Sequence, residues 1–194
     1  MMEWVKRIKD RGVALIAVIA LLTSFADVAI GIASIESIAE AFPYEHPVGS
    51  ATMGLFLTGL TVGLLAGLLF MHRRQLYAML YSALLVASFA ELLLVGTHIS
   101  SCFNQICVAI VSCLCAFCLM LAYGIVRHVS TMEHLRSNTK VLLSAIVSGL
   151  LCGLIVPCLL ASSVVTFVCL CSVVVALLFA LFPLPDACGD VASY

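Results

Sequence analysis

MGLFLTGLTVGLLAGLLFMHRRQLYAML, residues 53–80, decides the fold class of this chain. The stretch contains no acidic or basic residue before His72, Arg73 and Arg74, and it becomes apolar again directly after them. Over the whole chain of 194 residues, 64% are hydrophobic and only 10% are charged. A soluble domain of this composition would have to expose a largely apolar surface. The sequence therefore predicts a protein whose solvent is the lipid bilayer, and we expect no nucleic-acid partner.

A membrane-spanning helix needs about 20 mostly apolar residues, and the chain offers several such stretches. They are 13–41, 52–71, 76–96, 105–126, 141–161 and 164–182. The basic start MMEWVKRIKDRG precedes an apolar run that is too long for the core of a signal peptide, so we interpret the first stretch as a mature helix. The predicted fold class is an all-α polytopic membrane protein with six transmembrane helices in one bundle.

The positions of the Lys and Arg residues predict the orientation of this bundle. They precede helix 1, lie between helices 2 and 3, or lie between helices 4 and 5: Lys6, Arg7, Lys9, Arg11, Arg73, Arg74, Arg127, Arg136 and Lys140. Six spans place all of them on one side, and the positive-inside tendency makes that side cytoplasmic, with both termini. We expect a basic cytoplasmic N-terminus over 1–12, a transmembrane domain over 13–183 and a short acidic cytoplasmic tail over 184–194. We expect the protein to reside in a plasma or inner membrane.

Small residues recur at every fourth position in helices 2 and 5. They are Gly59, Gly63 and Gly67 in helix 2, and Gly149 and Gly153 in helix 5, where Pro157 follows. Lipid tails are as apolar as leucine, so helices in a membrane associate through close packing, and a strip of small residues lets another backbone approach. We expect these glycine strips to pack within the chain, with a subunit interface or a moving gate as the alternatives.

The chain resembles the amino-terminal six-helix half of the major facilitator superfamily in three features. These are the glycine-rich helix 2 with its two-arginine turn, the basic loop after helix 4 and SGLLCGLIVP in helix 5. In that family the turn between helices 2 and 3 carries Gly-x-x-x-Asp-(Arg/Lys)-x-Gly-(Arg/Lys)-(Arg/Lys). Arg73 and Arg74 fit its last two positions, whereas Leu69 stands in place of the Asp and His72 in place of the second Gly. In helix 5, the family's Gly/Pro motif is matched up to Pro157, and Cys158 replaces the Gly that follows.

This resemblance implies a secondary transporter for a small solute, not an enzyme, with no cofactor. Members of the family bind substrate between two six-helix bundles, whereas the chain supplies one. Three alternatives stay open: a homodimer that rebuilds the cleft, an accessory subunit paired with a second membrane protein, and a remnant or fragment. The alternative function is a noncatalytic membrane subunit that docks into a larger complex through its glycine-rich helix faces.

Asp27 and Glu91 are the two acidic residues that we place within the hydrocarbon, since Glu36 and Glu40 lie at the end of the long first stretch, which we expect to project beyond it. Asp27 falls about fourteen residues into helix 1, or about 21 Å along its axis, and Glu91 lies near the outer end of helix 3. Ionisable groups within a membrane are costly and mark functional sites, so both are candidates for binding substrate or a proton. The alternative for Asp27 is a neutral acid hydrogen-bonded to Ser24, Thr23 or a neighbouring helix. For Glu91 we favour a side chain that reaches the outer interface.

The cysteines and the remaining polar segments indicate no further chemistry. Cys115-x-x-Cys118 has the spacing of a dithiol, but a thiolate deep in lipid is disfavoured and scattered cysteines behave as small hydrophobic residues. Cys102 and Cys107 are the pair placed to form a disulfide at an outer helix end. RHVSTMEHLRSNTK, residues 127–140, predicts an amphipathic connector along the membrane surface. The sequence shows no metal-ligand cluster, catalytic triad or phosphate loop, so we expect no metal site.

Overall fold

A computed structural model describes residues 2–41, 48–73, 75–96, 101–130 and 132–159 of the chain. Within these ranges the chain forms α1 (Met2–Ala41), α2 (Val48–Phe70), α3 (Leu76–Gly96), α4 (Ser101–Val129) and α5 (Met132–Leu159), and no strand. Each helix contains a segment long and apolar enough to cross a membrane. The first five predicted spans are therefore confirmed as helices of that kind. The sixth predicted span, 164–182, and the predicted tail, 184–194, lie outside the described residues.

The predicted surface connector over residues 127–140 is wrong. α4 continues to Val129 and α5 begins at Met132, so most of this stretch belongs to the two helices themselves. Nothing between Arg127 and Lys140 is a Gly or Pro that would end a helix early. At the break between the helices, the Asn138 side-chain amide donates a hydrogen bond to the Ser130 hydroxyl at 2.8 Å, which fixes the start of α5 against the end of α4.

α1 and α4 form the centre of the bundle. In α1, 67% of the most apolar window is buried, against 17% in each of α2 and α5. The most extensive contacts join α2 with α4 and α1 with α5, and α4 also packs against α1 and α3. The two main helix pairs therefore do not join neighbours along the chain. They are connected through α1 and α4, and α3 packs against α4.

The glycine strips set the register of both helix pairs. A methyl group added to any of these glycines would collide with the partner helix, as follows: Gly59 with Ala109, Gly63 with Cys113 and Ala116, Gly67 with Met120, Gly149 with Leu21 and Ser24, and Gly153 with Phe25 and Val28. The residue numbers of the glycines and of the residues they contact increase in the same direction. α2 therefore runs parallel to α4, and α1 runs parallel to α5. The prediction that these strips pack within the chain is confirmed. Pro157 lies in the last turns of α5, and its side chain is outside the described part.

The two parallel pairs place the basic residues of the described helices at one end of the bundle. That end contains the start of α1, the end of α2, the end of α4 and the start of α5. The basic side chains described there, which are all exposed, are Arg73, Arg127, Arg136 and Lys140. The predicted clustering of positive charge at one end agrees with this arrangement, and the assignment of that end to the cytoplasm stays a prediction.

The outward faces of the helices suit a lipid environment. Large apolar side chains cover them, and Leu69 of α2 is 77% exposed while Leu143 of α5 is 60% exposed. Hydroxyl groups on these faces donate to carbonyls of their own helix: Thr58 to Gly54 at 2.7 Å, Thr61 to Leu57 at 2.6 Å and Ser82 to Ala78 at 2.9 Å. Lipid offers no hydrogen-bond partner, so an outward hydroxyl must bond to its own backbone. The chain is an integral, multi-pass membrane protein.

Candidate functional site

Both acidic residues of the apolar spans face the interior of the bundle. Asp27 of α1 is 3% exposed and Glu91 of α3 is 2% exposed. The favoured interpretation of Glu91, a side chain reaching the outer interface, is therefore wrong. The side chains of α3 that pack inward recur at helical spacing: Leu80, Leu84, Ala87, Glu91 and Leu94. Glu91 belongs to this stripe, so the packing of α3 against α4 carries its carboxyl into the protein.

α4 supplies the polar groups that meet both carboxyls. The Cys115 thiol donates to Glu91 Oε1 with an S···O distance of 3.7 Å, and Ser112 lies within hydrogen-bonding reach of the Asp27 carboxyl. The Ser112 hydroxyl also donates to the Phe56 carbonyl of α2 at 3.1 Å. Ser112 and Cys115 are three residues apart and share one face of α4. One face of α4 thus connects an acid from α1 with an acid from α3.

One oxygen of each carboxyl is left unpaired. In the described part of the chain, Asp27 Oδ1 and Glu91 Oε2 are buried and have no hydrogen-bond partner. A buried carboxylate with an unpaired oxygen is costly in its charged form. The basic side chains that the structure describes lie at the other end of the bundle, and Arg127 is fifteen residues, or about 22 Å of helix, beyond Ser112. No described Lys or Arg is therefore close enough to neutralise either acid.

A crevice beside Asp27 lies between α1, α2 and α4. Its other lining residues are Ile30, Gly31, Phe56, Val108 and Val111, and it is too narrow to hold a water molecule. A Cβ on Gly31 would lie 2.8 Å from the Phe56 ring, so the glycine is what lets this ring pack over the crevice. Within the described residues, no three His, Cys, Asp or Glu side chains come together as metal ligands do. Asp27 therefore faces a dry, mostly apolar space.

Sequence reasoning missed the buried polar residues of α4. Ser112 is fully buried, and Asn104 is 1% exposed with its Oδ1 unpaired among the described groups. Asn104 and Cys115 lie eleven residues, or about three turns, apart, so they share a face of α4. The available signal was a set of polar residues at helical spacing in an otherwise apolar segment, and it could have identified this face.

The cysteines whose side chains the structure describes are free thiols. Cys102 is exposed and Cys107 is buried, and the disulfide considered between them is not formed. Cys115 and Cys118 are both buried and also unbridged. Cys115 contributes to the cluster as a hydrogen-bond donor to Glu91, and the structure gives it no second thiol as a bonded partner.

The turn between α2 and α3 is separate from the carboxyl cluster. Arg73 is exposed in this turn, at the basic end of the bundle, whereas Arg74 lies outside the described residues. No family model, curated protein or solved structure matches the chain. The case for a function therefore depends on the geometry of the cluster formed by Asp27, Glu91, Ser112 and Cys115.

Proposed function

We propose that this chain is the proton-binding half of a secondary transporter of the major facilitator type, which moves a small solute as a homodimer or with a second bundle. The observation that carries the proposal is the meeting of Asp27 and Glu91, from two different helices, on one face of a third. Intramembrane acids that face the bundle interior without a basic partner are typical of proton pathways. Both carboxyls have this environment.

Ser112 links the protonation of Asp27 to the packing of α2. A hydroxyl group has one proton to donate, and that of Ser112 is directed to the Phe56 carbonyl at 3.1 Å. When Asp27 is protonated, its carboxyl can donate to the Ser112 oxygen, so that donors run from Asp27 through Ser112 to the backbone of α2. When Asp27 is ionised, the same hydroxyl can turn and donate to the carboxylate, which removes its hydrogen bond to α2. Proton binding and helix packing are therefore coupled.

A proton fits this cluster better than a metal cation does. Hard cations bind through several oxygen ligands and need space for the ion itself. The crevice beside Asp27 has no room for a water molecule, and the partner of Glu91 is a thiol. A proton needs only one carboxyl oxygen and no additional volume. The coupling ion of the proposed transporter is therefore H⁺.

The alternative function, a noncatalytic subunit that docks through its glycine faces, has less support. Those faces are occupied within the chain, since Gly63 packs on α4 and Gly149 packs on α1. A partner that used them would have to displace a helix of the same chain. The outward faces of α2 and α5 that remain are covered with large apolar side chains, as contact with lipid requires.

Infrared difference spectroscopy on the protein in nanodiscs tests the proton site without knowledge of the solute. We expect the carbonyl band of a protonated carboxylic acid to persist at neutral pH and to diminish in Asp27→Asn and in Glu91→Gln. Glu133→Gln is the matched control, because Glu133 precedes the apolar segment of α5, His134–Ile155. A band that none of these variants alters would exclude the cluster as a proton site.

Transport itself is tested in liposomes that contain a pH-sensitive dye. Sugars, amino acids and organic cations are added in turn, and we expect one class to drive proton movement that Asp27→Asn abolishes and Glu133→Gln preserves. A discrete homodimer in mild detergent would agree with the transport proposal, whereas stoichiometric co-purification with an unrelated membrane protein would favour the subunit. Solute-driven proton movement that is unchanged in both Asp27→Asn and Glu91→Gln would refute the mechanism.

A further inference from the structure

A pocket of about 670 Å³ lies at the turn that joins α2 to α3, at the end of the bundle remote from Asp27. It is lined by Phe70, His72, Arg73, Gln75 and Met79. Its volume is in the range of ordinary ligand pockets. None of these residues belongs to the cluster of Asp27, Glu91, Ser112 and Cys115, so the pocket is a separate candidate binding site.

The position of the pocket places it at the edge of the membrane. The apolar segment of α2 ends at Phe70 and that of α3 begins at Leu76, so the turn lies where hydrocarbon gives way to lipid headgroups. On its membrane side, the pocket is bounded by Phe70 and Met79. Next to Phe70, Leu69 is 77% exposed and extends this apolar surface along α2. One side of the pocket therefore suits acyl chains.

The other side of the pocket suits an anion. His72, Arg73 and Gln75 supply donors, all three are exposed, and none of the described acidic residues lines the pocket. A guanidinium group forms paired hydrogen bonds with phosphate oxygens. The backbone of Met71 packs against Gly124, which brings the basic last turn of α4 to the same end. Arg73 therefore lines the donor side of the pocket and Arg127 lies at the same end of the bundle, while the opposite side of the pocket is apolar.

We propose that this pocket binds an anionic phospholipid. Arg73, assisted by His72 and Gln75, holds the phosphate of the headgroup, and Phe70 and Met79 pack against the first carbons of an acyl chain. A soluble phosphate compound would use only the donor side, whereas a phospholipid uses both sides and is already present at this depth. Lysine and arginine residues at a membrane surface attract anionic lipids in this way. The proposal is independent of the proton-binding function and of its test.

Native mass spectrometry of the full chain in detergent micelles measures this binding directly. Phosphatidylglycerol and phosphatidylcholine are titrated against the wild type, Arg73→Gln and Arg73→Lys. We expect preferential binding of phosphatidylglycerol, a loss of about fivefold in affinity in Arg73→Gln, as expected for one basic residue at an anionic surface, and partial recovery in Arg73→Lys. Arg136→Gln is the matched control, because Arg136 is exposed at the same end and does not line the pocket.

Three results would overturn the proposal. Equal losses in Arg73→Gln and Arg136→Gln would show a diffuse attraction by surface charge. Equal binding of phosphatidylcholine and phosphatidylglycerol would exclude recognition of an anion. Displacement of the bound lipid by millimolar glycerol 3-phosphate would assign the pocket to a soluble phosphate compound. Thermal unfolding of Arg73→Gln, which alters an exposed turn residue, shows whether this variant is folded. If it is not folded, the comparison of lipid affinities between the wild type and Arg73→Lys tests the proposal.

Discussion

Replacing Gly63 with alanine tests the register of α2 on α4. A Cβ at this position would lie 2.9 Å from the Cβ of Ala116 and 2.9 Å from the carbonyl carbon of Cys113, and closer still to the Cys113 carbonyl oxygen. Two of these three atoms belong to the backbone of α4, which cannot rotate away as a side chain can. The helices would have to separate along a strip that also includes Gly59 and Gly67.

The size of the effect follows from a comparison with Gly54 of the same helix. A Cβ on Gly54 would meet nothing within 4 Å, so Gly54→Ala introduces no collision. Both variants replace Gly with Ala inside α2, and the gain in helix propensity, about 1 kcal/mol in water, cancels in the comparison. The remaining difference is the cost of overpacking, about 1–3 kcal/mol. Gly63→Ala should be less stable than Gly54→Ala by this amount.

The measurement is an unfolding titration with sodium dodecyl sulfate in bicelles, followed by circular dichroism. A second change, Ala116→Gly, removes one of the colliding atoms and leaves the Cys113 carbonyl in place, so it should restore only part of the lost stability. If Gly63→Ala and Gly54→Ala unfold at the same detergent fraction, α2 does not pack on α4 through its glycines, and the assignment of parallel register fails.

Three further outcomes are expected from the same preparation. Gly153→Ala should cost about 1 kcal/mol, since its Cβ would lie 2.8 Å from the Phe25 carbonyl oxygen; unchanged stability would show that α5 does not approach α1 this closely. Ser112→Ala should also lower the free energy of unfolding by about 1 kcal/mol, because the hydrogen bond to α2 is lost. Thr61→Val, on an outward face, should leave the stability nearly unchanged. Equal effects of the two variants would contradict the interior role of Ser112. In single-cysteine variants, N-ethylmaleimide should label the exposed Cys102 in the folded protein and the buried Cys115 only after unfolding; labelling of both before unfolding would mean that the interior of α4 is open.

The helices and the glycine strips could be predicted because the bilayer imposes simple rules on sequence. A span needs a minimum apolar length, and close packing without a hydrophobic driving force needs small residues at regular spacing. Gly59, Gly63 and Gly67 satisfy the second rule, and the structure places them against α4. Which helix they would meet was not predictable, since a strip of glycines accepts any backbone.

Glu91 shows where sequence reasoning failed. α3 is apolar on all sides, so its pattern does not distinguish the face towards protein from the face towards lipid. Position alone, near a helix end, favoured the interface. The inward-packing side chains of α3 can be identified only when α4 is placed beside α3, because they are the ones that contact α4. The same reason explains why Ser112 and Cys115 could not be matched to their acidic partners in advance.

The pairing of α1 with α5 and of α2 with α4 has a consequence for biosynthesis. Neither pair can form until the later helix has left the ribosome, so the first three helices enter the membrane before their main neighbours exist. During this interval Asp27 has no Ser112 beside it, and the groove on α1 that receives Gly149 stays open. We expect the insertion machinery to retain the nascent chain through this stage, and a chain stopped before α4 to be recognised by quality-control proteases.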